Sequence, residues 1–177
     1  MTVWHCHIAV SLDGKIARPD GGVEDWLVAD YPPEGLGFEE FYAGVGAILM
    51  GRGTYDAAAG QDWPYAGKAV TVLTSRPLEA PPPGVRARSG DLAAVAAELE
   101  AEGHGTVWVE GGGQVIRGMI AIGKLDILEM AVIPIILGDG IPLFPPGTPE
   151  LKLELDFARP WRKGAIHVKY RRAAATA

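Results

Sequence analysis

The sequence has few features of a secreted, membrane-spanning or nucleic-acid-binding protein. Its single cysteine, Cys6, cannot form a disulfide within the chain, which fits a reducing compartment such as the cytoplasm. Acidic residues outnumber basic ones by 22 to 16, whereas a sequence-independent nucleic-acid binder needs a basic face. The first residues lack the basic stretch of a signal peptide. The longest apolar run, residues 130–137, is too short to span a bilayer and is interrupted by Pro134.

What remains is the pattern of one α/β domain comprising residues 1–177. With 177 residues, 48% of them hydrophobic, the chain can bury a sizeable core. Strand-like and helix-like apolar periods alternate, which predicts a mostly parallel sheet with helices on both faces. Strands are predicted at residues 3–11, 47–50, 69–74, 85–88, 106–109, 125–133 and 163–171. Helices are predicted at residues 38–45, from 54 onward, at 91–103 and at 114–122.

The most informative segment is residues 108–116, which read WVEGGGQVI. They form a short apolar strand, three glycines and the start of a helix. Glycine has no Cβ, so the backbone can turn sharply there and approach a ligand closely. The free N–H groups and the dipole of the following helix favour an anion such as phosphate. A tight turn without a ligand is the alternative, since glycine-rich turns are common.

Two other segments follow predicted strands, and we expect them at the same edge of the sheet, where open α/β folds bind ligands. They are Gly51-Arg52-Gly53-Thr54 and Thr74-Ser75-Arg76. An arginine fork beside a hydroxyl suits a ribose 2′-phosphate, so the three segments together predict a ligand with several phosphates. Taken singly, Arg52 and Arg76 are also compatible with solvated side chains, and Ser75 with a turn cap.

The motifs resemble those of the reductase domain of bacterial riboflavin biosynthesis and its stand-alone relatives, which share the dihydrofolate reductase fold. The matching stretches are residues 7–17, 48–55, 72–77, 109–113 and 125–140. They span nearly the whole chain in family order, and the SLDG and EGGG motifs are specific when found together. The resemblance implies a three-layer α/β/α fold, with a mostly parallel sheet of about eight strands and an antiparallel C-terminal strand. It also implies NADPH as the hydride donor.

The resemblance assigns contacts residue by residue. Ser11 and Trp26 are implied to contact the substrate. Asp13, in the loop after the first strand, is implied to relay a proton or orient the substrate; its alternative role is to hold a turn. Contacts with the cofactor are implied for Gly51, Arg52, Thr54, Thr74, Ser75, Arg76, Gly111, Gly112, Gly113, Gln114 and Gly138.

Some features of the related enzymes are missing or have no clear counterpart. The riboflavin enzymes often carry a deaminase domain whose zinc site needs two cysteines, and a chain with one cysteine cannot build it. Glu39 and Glu40 lie in the region of the buried carboxylate of dihydrofolate reductase, but acidic residues at a helix start usually just favour its dipole. His5 and His7 share one face of the first strand; no third ligand is apparent nearby, so no metal is expected.

We therefore expect an NADPH-dependent oxidoreductase that transfers a hydride to a small polar heterocycle of the pteridine or pyrimidine kind. It would resemble 5-amino-6-(5-phosphoribosylamino)uracil reductase. Two alternatives stay open: dihydrofolate reductase activity, and nucleotide binding without catalysis. The expected partners are a small-molecule substrate and a second copy of the chain. A homodimer is expected because a bare C-terminal edge strand favours pairing and because residues 125–137 are strongly apolar.

Overall fold

A computed structural model describes residues 1–31, 37–60 and 62–174 of the chain. Within these ranges the chain forms ten strands and four α-helices. The strands are β1 (Val3–Ser11), β2 (Lys15–Ala17), β3 (Val45–Gly51), β4 (Ala69–Leu73), β5 (Val85–Arg88), β6 (Thr106–Gly111), β7 (Ile127–Ile133), β8 (Ile141–Pro142), β9 (Leu153–Pro160) and β10 (Ile166–Arg172). The helices are α1 (Phe38–Gly44), α2 (Arg52–Ala59), α3 (Leu92–Ala101) and α4 (Gly113–Ala121). A π-helical turn at Glu24–Val28 and a 3-10 turn at Arg162–Gly164 complete the regular structure.

Eight strands form one sheet in the order β5-β4-β3-β6-β1-β7-β10-β9, and β2 pairs with β8 in a small separate ribbon. The first six strands in this order, β5, β4, β3, β6, β1 and β7, pair with one another in parallel. In contrast, β10 runs antiparallel to β7, and β9 runs antiparallel to β10. The predicted mostly parallel sheet with an antiparallel C-terminal strand is therefore confirmed. Parallel neighbours bring their carboxyl ends to one edge, which positions the site described below.

Helices cover both faces of the sheet, which confirms the three-layer architecture. Alternate residues of β3 point to opposite faces: Ala47 and Leu49 join the core under α3 and α4, whereas Ile48 and Met50 pack with Tyr55 of α2 and the aromatic residues of α1. Asp91 begins α3 as predicted, and its side chain accepts a hydrogen bond from the Ala93 N–H. Among the described residues, no helix is both long enough and apolar enough to span a bilayer.

The edge strand β9 was not among the predicted strands. Its first half does alternate, with Leu153, Leu155 and Phe157 separated by Glu154 and Asp156, as expected for a strand. The strand is exposed along most of its length because it lies at the sheet edge, so its apolar content is low. The last strand also begins later than predicted, at Ile166, because the 3-10 turn occupies Arg162–Gly164.

Candidate active site

A cavity of about 990 Å³ opens at the carboxyl ends of the parallel strands. One half is bounded by the ends of β3 and β6 and by the first residues of α2 and α4. The other half is bounded by aromatic side chains and by Glu110. The residues of the first half that had been predicted to bind the cofactor are Gly51, Arg52, Thr54, Gly112, Gly113 and Gln114. The tertiary structure thus brings together two segments that are separated by about sixty residues in the sequence.

Two helix N-termini face this half of the cavity without side-chain caps. The N-cap of α2 is Gly51 and that of α4 is Gly112, and neither helix receives a capping hydrogen bond from a side chain. They lie close together, because a Cβ on Gly112 would be 3.8 Å from the hydroxyl oxygen of Thr54. Uncapped N–H groups at adjacent helix starts favour a diphosphate. The residues present therefore fit the pyrophosphate of a dinucleotide.

The segment after β4 lies beside this half of the cavity and does not line it. Arg52 connects the two: its Nη1 donates to the Pro77 carbonyl at 3.2 Å, while its Nε donates to Asp56 at 2.6 Å. Thr74 uses its hydroxyl locally, accepting from the Arg76 N–H at 3.1 Å. Ser75 and Arg76 are exposed. Both can therefore meet a group that extends out of the cavity past Arg52.

Two other glycines assigned to the cofactor also lie outside the cavity lining. Gly111 is packed between β1 and α4, where an added Cβ would lie 3.7 Å from Ile116 and 3.8 Å from Ile8. Gly138 donates its N–H to the Asp13 carboxylate at 2.9 Å. The structure therefore gives both glycines a role in backbone geometry.

Asp13 and Ser11 form a clamp that holds two loops together. The Asp13 carboxylate accepts hydrogen bonds from the Ser11 hydroxyl at 2.7 Å and from the N–H groups of Leu137 and Gly138 at 3.0 and 2.9 Å. These bonds, that of Ser11 foremost, lower the pKa of Asp13 to about 2. A carboxyl with that pKa holds no proton at neutral pH, and neither residue lines the cavity. The geometry thus does not fit the predicted proton relay and substrate contact; it fits the alternative, a carboxylate that holds a turn.

Trp26 was predicted to contact the substrate, but it belongs to the hydrophobic core and does not line the cavity. It is 4% exposed and packs in a cluster with Ala131, Ile133 and Ala165. The preceding residue, Asp25, forms an exposed ion pair with Arg18 at 2.6 Å. The neighbours of Trp26 in the same turn, Leu27 and Val28, do line the cavity. The helical turn therefore directs the large ring inward and the smaller apolar side chains toward the ligand space.

Aromatic rings form the wall of the second half of the cavity. Phe38 and Tyr65 each pack edge-to-face against Trp108, with ring centroids 5.6 and 5.9 Å apart. Tyr31 lines the cavity from the other side. Flat aromatic walls suit a planar ring, because they offer both stacking and edge contacts. This half of the cavity is thus shaped for a flat, ring-containing ligand.

Glu110 is the acidic group that sequence reasoning missed. Its Oε1 accepts a hydrogen bond from the Tyr65 hydroxyl, whereas its Oε2 is buried and has no partner among the described residues. Burial raises the pKa of Glu110 to about 7, although the Tyr65 hydrogen bond opposes the rise. Glu39 and Glu40, by contrast, are exposed on α1. One feature of the sequence could have indicated this role of Glu110. It is a single charged residue between the apolar strand residues Val107-Trp108-Val109 and the glycines, where an apolar residue would complete the strand.

The face of β1 that carries His5 and His7 holds more ligating groups than the sequence suggested. Glu129 of β7 and His167 of β10 lie beside them, with Glu129 within 2.9 Å of His5 and 2.7 Å of His167. The statement that no third metal ligand is nearby is therefore wrong. The third and fourth groups come from strands that are distant in sequence and adjacent in the sheet.

The fold and cavity define an α/β domain of the dihydrofolate reductase type. Comparison with known families gives the particular one: residues 4–166 match the model of the RibD C-terminal domain, and the chain belongs to that family. This membership places it among oxidoreductases of the riboflavin-reductase type.

Relatives cover almost the full chain. YwjB of Bacillus subtilis strain 168 is 34% identical over 170 residues, which are 94% of this chain and 96% of YwjB. A solved protein from Shewanella sp. PV-4, whose name links it to riboflavin biosynthesis, is 30% identical with a TM-score of 0.86, covering 97% of this chain and 99% of its own. Dihydrofolate reductase from Enterococcus faecalis, solved with NADP(H), is 17% identical with a TM-score of 0.70, covering 97% of each chain. The last similarity concerns the fold.

Because Asp13 holds two loops together, we expect Asp13→Asn to lower stability and to leave NADPH affinity nearly unchanged. An amide keeps one acceptor oxygen but turns N–H groups toward a backbone donor, so one of the hydrogen bonds is lost. Because the folded-state pKa is lowered, this stabilisation is present above about pH 4 and is lost as the pH falls through about 2. Thermal melts at pH 7 and pH 3 measure it. Asp139→Asn, in the same turn, is the control; unchanged melting with lost turnover would contradict the clamp.

The raised pKa of Glu110 predicts that Glu110→Gln gains stability relative to the wild type as the pH rises. Below its ordinary pKa of 4.5 the carboxyl is protonated in both folded and unfolded states, and burial costs little. Between pH 4.5 and about pH 7 the Glu110 carboxyl ionises in the unfolded state but stays protonated in the folded state, so the free energy of unfolding of the wild type falls. At 1.36 kcal/mol per pKa unit, the wild type should lose about 3 kcal/mol of stability relative to Glu110→Gln over this pH range. Urea unfolding of both proteins at pH 4 and pH 8 measures it; a pH-independent difference would contradict it.

Proposed function

We propose that the chain is an NADPH-dependent reductase that transfers a hydride to a small planar heterocycle of the pteridine or pyrimidine kind. One observation carries the proposal: a buried carboxyl with a pKa of about 7, Glu110, shares a cavity with two uncapped helix N-termini. The first feature suits a polar ring that is to be protonated, and the second suits the diphosphate of a dinucleotide. Membership in the RibD C-terminal domain family supports the same reading.

The substrate half of the cavity supplies orientation and a proton. Ionised Glu110 can accept two hydrogen bonds from the amino-imino edge of a pyrimidine ring, and when protonated it can return a proton from the same place. Trp108, Phe38 and Tyr65 exclude water around it. The nicotinamide supplies the hydride when bound. The chain's own contribution is to align the ring, keep water out and hold the proton at the Glu110 carboxyl.

An activity test with Glu110→Gln addresses this proposal directly. We expect NADPH oxidation with a phosphoribosylamino-uracil substrate, a kcat lowered about a hundredfold by the substitution, and a near-normal Kd for NADPH. Glu98→Gln, an exposed glutamate that pairs with Arg88, is the matched control. Dihydrofolate serves as the second substrate. Turnover of dihydrofolate alone would favour the dihydrofolate reductase alternative, and NADPH binding without any turnover would favour a binding protein.

The exposed Arg76 is proposed to distinguish NADPH from NADH. It follows Thr74 and Ser75 and precedes Pro77, whose carbonyl accepts a hydrogen bond from the cavity residue Arg52. A charge-assisted contact with the 2′-phosphate is worth about 1.5–3 kcal/mol, so NADPH should bind roughly tenfold to a hundredfold more tightly. Arg76→Ala should remove this preference and leave NADH affinity unchanged, whereas Arg171→Ala, far across the sheet, should change neither. Fluorescence titration measures both; equal wild-type affinities would contradict the assignment.

We also propose a homodimer that pairs through the last two strands. β9 lies at the sheet edge, and Leu155 and Ile166 are 58% and 46% exposed. Such an edge tends to pair with another chain. Light scattering should give about twice the chain mass of 18.7 kDa, and Leu155→Arg should shift the protein to monomer. Leu12→Arg changes an equally exposed leucine outside these strands and should not. A wild-type monomer at micromolar concentration contradicts the proposal.

A further inference from the structure

Five polar side chains converge on one face of the sheet, beneath α1. His5 and His7 come from β1, Glu129 from β7, and His167 and Lys169 from β10. Glu129 is at the centre because it pairs in register with His7 on one side and with Lys169 on the other. Acidic residues are rarely buried unless they are paired, and here the Glu129 carboxylate and the imidazoles of His5, His7 and His167 are largely shielded, with side-chain exposures of 6%, 7%, 7% and 12%.

The two oxygens of Glu129 have different partners. Oε2 lies 2.9 Å from His5 Nε2 and 2.9 Å from Lys169 Nζ. Oε1 lies 2.7 Å from His167 Nε2 and 3.8 Å from His7 Nε2. One oxygen is thus fixed by two groups, and the other is directed at two imidazoles.

We propose that His7, His167 and Glu129 bind a divalent transition-metal ion of the Zn²⁺ class. Their ligand atoms all lie within 4.8 Å of one another. Bonds of about 2.1 Å place neighbouring ligands of a tetrahedral ion about 3.4 Å apart. The two distances from Glu129 Oε1, 2.7 and 3.8 Å, lie on either side of that value. These spacings are close to those that a tetrahedral ion requires.

The surroundings match those of a metal centre. His5 and Lys169 on Oε2 hold the carboxylate in place from behind, as outer groups orient metal ligands in other proteins. Phe41 stacks on the His7 ring at 4.8 Å, and Phe157 packs against His167 at 4.9 Å, which restricts both rings. Two imidazoles and one carboxylate favour Zn²⁺ or Fe²⁺ over Mg²⁺ or Ca²⁺, which prefer oxygen ligands alone.

The large cavity provides access to the site. His7 lines this cavity, as does Ala131, which pairs in register with His167. Three protein ligands leave a fourth position for water or a ligand group. Cys6 offers no competing thiolate, because its side chain packs in the core on the other face of the sheet and burial raises its pKa.

Metal binding by the purified full-length chain tests the proposal, with Zn²⁺ alone as the probe. After removal of bound metal with a chelator, isothermal titration calorimetry should show one Zn²⁺ per chain. His7→Gln and His167→Gln should each weaken binding at least about tenfold. His104→Gln is the matched control, since His104 is the one histidine of the sequence outside the cluster, where it pairs with Glu102. It should leave binding unchanged.

Cobalt provides a readout that does not depend on the variants' folding. Wild-type protein with Co²⁺ should show visible absorption bands of a nitrogen- and oxygen-ligated ion, and excess Zn²⁺ should remove them. No stoichiometric uptake by the wild type would overturn the proposal and leave the cluster as a charge network around Glu129. Full Zn²⁺ uptake by folded His167→Gln, or its loss in His104→Gln, would overturn it as well. None of these outcomes depends on reductase activity.

Discussion

The close approach of backbone segments at the carboxyl edge of the sheet is the constraint on which the rest of the site depends. A Cβ on Gly113 would lie 2.3 Å from the Pro142 carbonyl oxygen, and one on Gly140 would lie 2.4 Å from that of Ala17. Only glycine permits these contacts. They allow the β2–β8 ribbon to lie against the start of α4, and they set the position of the cavity wall that Pro142 and Ala17 provide.

The two acidic groups on the α1 face of the sheet show how environment assigns different chemistry to the same side chain. Glu110 has one hydrogen-bond donor, Tyr65, so desolvation prevails and its pKa rises to about 7. Glu129 contacts His5 and Lys169, so its pKa falls and it stays an anion. Burial disfavours the ionised form of both glutamates, and the number of nearby hydrogen-bond donors decides whether the pKa rises or falls. One glutamate is therefore suited to proton transfer and the other to holding cations.

The motif after β1 acts on the cavity indirectly. Asp13 joins Ser11 to the N–H groups of Leu137 and Gly138, and the chain that follows Gly138 contributes Ile141 and Pro142 to the cavity wall. A residue that resembles a catalytic group in sequence thus positions a loop. Its small size and acceptor oxygens serve either role, and only the location of the donors distinguishes them.

Features that depend on neighbouring residues could be predicted from the sequence. Strand and helix periods, the glycine turn before α4 and the Asp91 cap are local, because each involves side chains a few positions apart. The glycine turns after β3 and β6 could be predicted to meet at the carboxyl edge of the sheet, because neighbouring parallel strands end at the same edge. The predicted ligand contacts of Ser11, Asp13 and Trp26 could not be judged from a local pattern, since burial and hydrogen-bond partners, which set these residues apart from the cavity lining, are not local properties.

Residues that are far apart in the sequence act together only where the fold brings them into contact. His5 and Glu129 are separated by 124 positions, and they meet because β7 pairs with β1 in a register that sets Glu129 directly beside His7. The pKa of Glu110 likewise depends on Tyr65, which is 45 positions away and reaches it across the cavity wall. Strand order and register bring such groups within bonding distance, and no local pattern encodes them, because many sheet arrangements satisfy the same alternation of apolar and polar residues.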